Sequence, residues 1–197
     1  MERLTASEYD QRPGSWSPDG TTLAFVEERP GIGGLILLLD VRSRRVRPFL
    51  NTQSNEAYPE FSPDGRWLAY SSGESGRREV YVRPFPGPGG KWQISREGGG
   101  SSLWTRNGKQ LFYRWQDQVW TVNVQTGPAF SFGKPRLLFE QPGFGQGNPV
   151  RIWDLSLDGQ RFLMVKLDDR KPTLVTELIL VQNWFEELKR LSPSGMK

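Results

Sequence analysis

Phe61-Ser62-Pro63-Asp64-Gly65-Arg66-Trp67-Leu68-Ala69-Tyr70 decides the fold. Pro63 presets φ at the first central position of a turn, and Asp64 favours the second by bonding nearby backbone. Gly65 takes the left-handed position that closes a type I hairpin turn with a bulge. Leu68-Ala69-Tyr70 has no polar face, so the strand after the turn is expected to be covered on both sides. The tetrad recurs as Ser17-Pro18-Asp19-Gly20, Thr105-Arg106-Asn107-Gly108 and Ser156-Leu157-Asp158-Gly159, at spacings of 45, 43 and 51 residues. Repeats of this period are those of propeller blades.

The surroundings of each tetrad repeat as well. A large apolar residue precedes it (Trp16, Phe61, Trp104, Leu155). An apolar strand follows: Leu23-Ala24-Phe25-Val26, Leu68-Ala69-Tyr70, Leu111-Phe112-Tyr113 and Phe162-Leu163-Met164-Val165. Third strands read at 35–41, 79–83, 118–124 and 174–181, and outer strands at 45–50, 91–95 and 135–139. Pro84, Pro86 and Pro88 fall in a loop, where proline breaks no ladder. The expected fold is therefore all-β, one propeller domain over residues 1–197. Four-stranded blades are expected at about 12–50, 57–96, 101–140 and 150–182. A short helix is expected at 183–191, capped by Asn183 with Glu186 three residues on, its apolar face Trp184, Phe185, Leu188 and Leu191. Residues 2–5 read as an outer strand that either closes the last blade against Leu174 to Val181, removing an exposed sheet edge, or is the remnant of a blade encoded upstream.

Composition narrows the function classes. Eight Trp, eleven Phe, 22 Gly and 15 Pro suit many short strands. The net charge of +4 comes from 26 basic and 22 acidic residues, interspersed. The densest basic cluster, Arg42, Arg44, Arg45 and Arg47, reads as a solvated strand end, and no nucleic-acid partner is expected. There is no Cys and no His, which excludes disulfides, thiolate chemistry and histidine bases or metal ligands. No apolar run reaches the roughly 18 residues needed to span a bilayer, and the N-terminus lacks a signal core, so a soluble chain is expected.

The tetrads Trp16-Ser17-Pro18-Asp19-Gly20 and Phe61-Ser62-Pro63-Asp64-Gly65 resemble the WD-like repeat of the TolB family. Glu79-Val80-Tyr81-Val82-Arg83-Pro84-Phe85-Pro86, Lys91-Trp92-Gln93-Ile94-Ser95 and Asn183-Trp184-Phe185-Glu186-Glu187-Leu188-Lys189 are similar to the C-terminal sensor-like propellers attached to bacterial serine/threonine protein kinases. The resemblance implies a module that binds or scaffolds. Propellers of that family usually have six blades, and this chain supplies about four. No kinase motif is present; Gly31-Ile32-Gly33-Gly34 reads as a hairpin loop.

Asp19, Gly20, Asp64, Gly65, Asn107, Gly108, Asp158 and Gly159 are read as structural turn residues, with no catalytic residue, metal site or cofactor. The candidate ligand site is a channel rim, where Glu60 and Asp154 give negative charge and Trp153, Arg12 and Tyr58 add stacking or anion contacts. Asp168-Asp169, and the glycine-rich stretches 98–102 and 143–147, read as loops. The expected partner is a protein or small ligand, with a homodimer through blade edges as one arrangement. One alternative is a hydrolase or lyase using channel carboxylates and a divalent cation, and a second is a self-associating propeller fragment with no ligand; no Gly-x-Ser-x-Gly elbow exists for a serine hydrolase.

Overall fold

The computed structural model describes residues 2–50, 52–144 and 151–166. The first blade is the antiparallel sheet β1 (Gln11–Trp16), β2 (Thr22–Arg29), β3 (Gly33–Asp40) and β4 (Arg45–Pro48), paired in that order. The second repeats it with β5 (Glu56–Phe61), β6 (Trp67–Ser72), β7 (Glu79–Pro84) and β8 (Trp92–Gln93). In the third, β9 (Gly100–Trp104), β10 (Gln110–Trp115) and β11 (Gln118–Gln125) are followed by an outer strand in two pieces. These are β12 (Ser131–Phe132) and β13 (Arg136–Glu140), which pair with opposite halves of β11. Of the fourth blade, β14 (Trp153–Leu155) and β15 (Phe162–Met164) are described.

Side chains along a strand alternate between its two faces, and here the alternation assigns each residue to one blade interface. Ala24, Val26, Ile36 and Leu38 of the first blade meet Phe61, Leu68, Tyr70 and Tyr81 of the second. The intervening Trp67, Ala69, Val80 and Val82 point the other way, onto Trp104, Leu111, Tyr113 and Val122 of the third. Leu103, Phe112 and Val119 then pack on Trp153, Leu155 and Phe162. This is why the second strands carry no polar face: β6 is buried along its whole length.

The tetrads join the first and second strands at one end of every blade, and their geometry recurs four times. In each, the first residue's hydroxyl donates to the Asp or Asn two positions on, at 2.5–2.8 Å. That hydroxyl also accepts a backbone N–H from five residues ahead, at 2.9–3.0 Å. The closing glycines have φ of 70°, 69°, 67° and 72°. Asp19, Asp64, Asn107 and Asp158 thus each have one side-chain oxygen taken up by the turn itself.

Several expectations are corrected. Trp16 is 50% exposed, whereas its counterparts Phe61 and Trp104 are buried, because among the described residues no blade precedes the first. Leu163 is 73% exposed for the mirror-image reason, lying on the outward face of the fourth blade. Among the described residues, 2–5 lie outside any strand: Leu4 packs on Phe25, Leu35, Leu37 and Leu39 of the first blade, and Glu2 pairs with Arg44. Gly33 and Gly34 open β3 instead of lying in a loop, since they pair with Arg29 and Glu28 of β2, and a Cβ on Gly34 would overlap the Glu56 carbonyl of the next blade. Gly100, Ser101 and Ser102 likewise belong to β9. The helix at 183–191, the strand at 174–181 and the pair Asp168-Asp169 lie outside the described residues.

Candidate functional site

The end of the blades opposite the tetrads is built differently. There the first strands begin and the hairpins between second and third strands turn back. Each complete blade has a bulge in its first strand at this end, between Pro13 and Ser15, Ala57 and Glu60, and at the Gly100–Leu103 step. Bulges re-aim side chains and interrupt pairing. Four non-glycine residues among those described have left-handed φ, and three stand here: Tyr58 (54°), Ser101 (52°) and Gln116 (51°). Such backbone costs energy and is held by its surroundings. Gln116 has the first central position of the two-residue Gln116-Asp117 turn between β10 and β11, and because Gln116 alone of the two has positive φ, Gly at that position is the relaxed choice.

All three line a single cleft of about 380 Å³, with Arg78, Gly100, Arg114 and Trp115. Tyr58 is buried, and its ring lies 5.7 Å from the Arg78 guanidinium carbon. Burial raises the Tyr58 hydroxyl's pKa, against the pull of the Arg78 charge. Tyr58 also borders a smaller cleft of about 180 Å³ with Arg12, Pro59 and Arg151. On the other side, Trp115 and Gln116 are shared with a third cleft of about 340 Å³ that reaches Tyr113, Trp120 and Pro135. Tyr113 and Trp120 are parallel to within 3°, centroids 6.2 Å apart. The three clefts form a chain of hollows across the bulge end, basic at one end and aromatic at the other. A wider hollow of about 960 Å³ lies at the tetrad end of the third blade, where Lys109 is the one charged residue among the described residues of its lining.

The expected channel residues are distributed as follows. Arg12 and Tyr58 share the smaller cleft. Glu60 reaches across to the fourth blade, where Arg151 Nη1 donates to its carboxylate at 2.6 Å. Burial raises the pKa of Glu60, Arg151 opposes, and the Asp154 charge adds to the rise. An ion pair thus stands where a negative rim is expected. Trp153 faces away from the clefts: it is buried, donates its indole N–H to Ser101 at 2.9 Å and stacks on Phe162. Asp154 is exposed and accepts the Leu155 N–H. Among the described residues no group of three or more acidic side chains could hold a metal ion. Arg78, Ser101, Arg114, Trp115 and Gln116 were not singled out by the sequence. One signal was available, the hairpin at Gln116-Asp117 without Gly or Asn.

No known protein family and no curated protein sequence matches the chain. Its structure is similar to a TolB-type protein of Agrobacterium tumefaciens (TM-score 0.57, 18% identity, 70% of this chain and 51% of that one). It is also similar to TolB of Acinetobacter baumannii (0.56, 20%, 71% and 35%). An oligogalacturonate lyase in complex with manganese is comparably similar (0.56, 13%, 79% and 46%). The chain therefore spans about a third to a half of the length of these proteins. At these identities the likeness establishes the fold, that of TolB-like β-propellers. No helix of the described residues is long and apolar enough to cross a membrane.

Proposed function

We propose that the chain is a binding module, without catalysis of its own, whose ligand or protein partner is held at the bulge end across the clefts around Tyr58. One observation carries this reading: three of the four left-handed non-glycine residues among those described converge on one cleft. Backbone of this kind concentrates where geometry is held for function. Binding residues are disproportionately carried on loops positioned by a rigid scaffold, and here the scaffold is the regular tetrad end. The residues that resemble kinase-linked propellers extend the reading to a sensor or scaffold module of such a system.

A second reading, a lyase using carboxylates and a divalent cation, is favoured by the likeness to the manganese-bound lyase. Against it, the Glu60 carboxylate is engaged by Arg151, which occupies the place of a cation. The two readings separate in one experiment. The binder captured by the full chain from an extract of the source organism is re-tested against Tyr58→Ala and Asp64→Ala. Loss in Tyr58→Ala with retention in Asp64→Ala supports the bulge-end site. Retention in Tyr58→Ala, with both variants folded, contradicts it. Manganese-dependent cleavage of oligogalacturonate would support the lyase.

A further inference from the structure

We infer that the aromatic cleft at one end of this chain of hollows binds the ring of an uncharged sugar, a pyranose with equatorial hydroxyls laid on Trp115 and Trp120. The inference rests on the binding reading above and adds the class of ligand.

Strand register assembles the floor of the cleft. Tyr113 stands directly opposite Trp120, and Trp115 directly opposite Gln118, in the β10–β11 pair. Directly opposed residues of an antiparallel pair share a face, as do residues two apart along one strand. The four side chains therefore form one patch, on the face that Leu111 and Val122 turn toward the second blade. What borders the patch from the second blade is a connection: β8 is two residues long, and the chain then runs to β9 through Arg96, Glu97 and Gly98, which line the cleft. Tyr113 is buried, and both tryptophans are half-buried.

The rings are held in place from beneath. A Cβ on Gly98 would stand 2.1 Å from Trp115 Cε2, so the indole lies against bare backbone. Gly98 in turn donates its N–H to the two oxygens of the buried Glu79 carboxylate at 3.0 and 3.1 Å. Arg77 Nε reaches the same carboxylate at 2.9 Å. Trp120 donates its indole N–H to Gln118 at 3.2 Å, and Gln118 donates to Glu140 at 3.1 Å. A platform fixed in this way loses little freedom when a ligand lies on it.

The occupant follows from what the cleft offers. Aromatic faces are electronegative and attract polarised C–H bonds. The C–H face of an equatorial pyranose is flat, and its hydroxyls project from the edge. At the rim of the cleft, Arg96 only donates and Glu97 only accepts. Both are exposed, and neither enters an ion pair among the described residues. A hydroxyl does both, so a sugar matches the pair. A ligand with net charge would be repelled by one of the two, and the carbonyls of a proline-rich segment would leave Glu97 unmatched. Burial raises the pKa of the Tyr113 hydroxyl, and the charges of Glu79 and Glu97 add to the rise, so Glu97 is felt at the rings. The volume of about 340 Å³ lies within the range of small-ligand sites.

The test uses the full chain with cellobiose and glucose as probes, and with sorbitol, which carries the hydroxyls without the ring. Amide and indole chemical shifts give affinity and location. Saturable shifts are expected for cellobiose at residues 96–98 and 113–120, and none for sorbitol. Trp115→Ala is expected to abolish them, and Glu97→Ala to weaken binding by about tenfold, the scale of one charge-assisted hydrogen bond. Trp16→Ala, at an exposed tryptophan of the first blade, is expected to leave binding unchanged. Glucose as tight as cellobiose points to a free monosaccharide, and tighter cellobiose to a glycan chain; both support the site. Absence of saturation for both sugars overturns it, and so does sorbitol binding as tightly as cellobiose. Full affinity in Glu97→Ala overturns it as well; that exposed side chain keeps the test open should Trp115→Ala fail to fold. Saturation by decaproline with both sugars silent overturns it too and assigns the cleft to a peptide. If the captured binder is lost in Tyr58→Ala while neither sugar binds, the sugar site fails and the binding reading stands. Sugar binding with a binder indifferent to Tyr58 reverses that outcome.

Discussion

At the tetrad end, four turns from four blades repeat the same bond from a hydroxyl to an Asp or Asn side-chain oxygen within 0.3 Å and the same glycine φ within 5°. At the bulge end, equivalent positions hold Pro13, Tyr58, Ser101 and Ile152, and the hairpins differ in length and sequence. A repeat must keep whatever lets blades stack, because each sheet is stable only when its neighbours cover it. The difference teaches where that demand ends. One end satisfies backbone and packing in every copy by the same means; the other spends backbone strain on placing Tyr58, Ser101 and Gln116 around a single hollow.

The largest expected effect tests the stacking half of this contrast. Trp104 is buried between blades and donates its indole N–H to the Glu60 carbonyl at 3.1 Å, whereas Trp16, at the same repeat position, is 50% exposed. Trp104→Ala should cost about 3–5 kcal/mol and Trp16→Ala less than half of that. Denaturant unfolding measures both, and equal losses would break the equivalence of blades.

Left-handed residues sharpen the contrast next. Gly65→Val, at φ 69°, should destabilise by about 1–2 kcal/mol or more. Gln116→Gly, at φ 51° in the opposite end, should stabilise by up to about 1 kcal/mol. A gain from Gln116→Gly accompanied by weaker ligand binding would show that strain there serves the site. A loss of stability would show that Gln116 is not strained.

The smallest effect is in pH, and the tetrads should move opposite to the second-blade glutamates of the bulge end. Glu27 of the first blade, held low despite burial by its hydrogen bonds, follows the tetrads. The pKa values of Asp19 and Asp158 are lowered by hydroxyl and backbone hydrogen bonds, and that of Asp64 by the same bonds despite burial. A lowered folded pKa gives stability that is present above the unfolded value and lost below about pH 4. Glu56 and Glu60 are raised by burial. Their folded state favours the protonated form, so their contribution improves as pH falls toward the ordinary glutamate value of about 4.3. Amide exchange between pH 6 and 3 should show the amides around Glu56 and Glu60 holding or gaining protection down to about pH 4.5, with tetrad amides losing theirs only below about pH 4. A simultaneous loss at both ends would contradict the assignment.

How much of this was legible follows from the same contrast. Asp64 and Gly65 act on residues within five positions, so their roles stand in the sequence itself, and Phe61 and Leu68 announce a two-sided interface by lacking any polar partner. Trp16 misled because its burial depends on what precedes the first blade, which local sequence does not state. The cleft was hidden for a different reason. Ser101 is left-handed within the bulge of β9 against β10, and Arg78 and Arg114 line one cleft only because two blades stack side by side. Glu60 and Arg151, 91 positions apart, meet across an intervening blade, which is why a negative rim was expected where an ion pair stands. Long-range register has no local signature; the turn Gln116-Asp117 came nearest to one.

The central claim, that one end of the blades is scaffold and the other holds the ligand, is tested most directly by amide exchange of the full chain with and without its captured binder. The account predicts new protection at residues 57–60, 73–78, 100–101 and 114–118, with the four tetrads unchanged. Protection confined to the tetrads or to the outer strands β4 and β13 would contradict it.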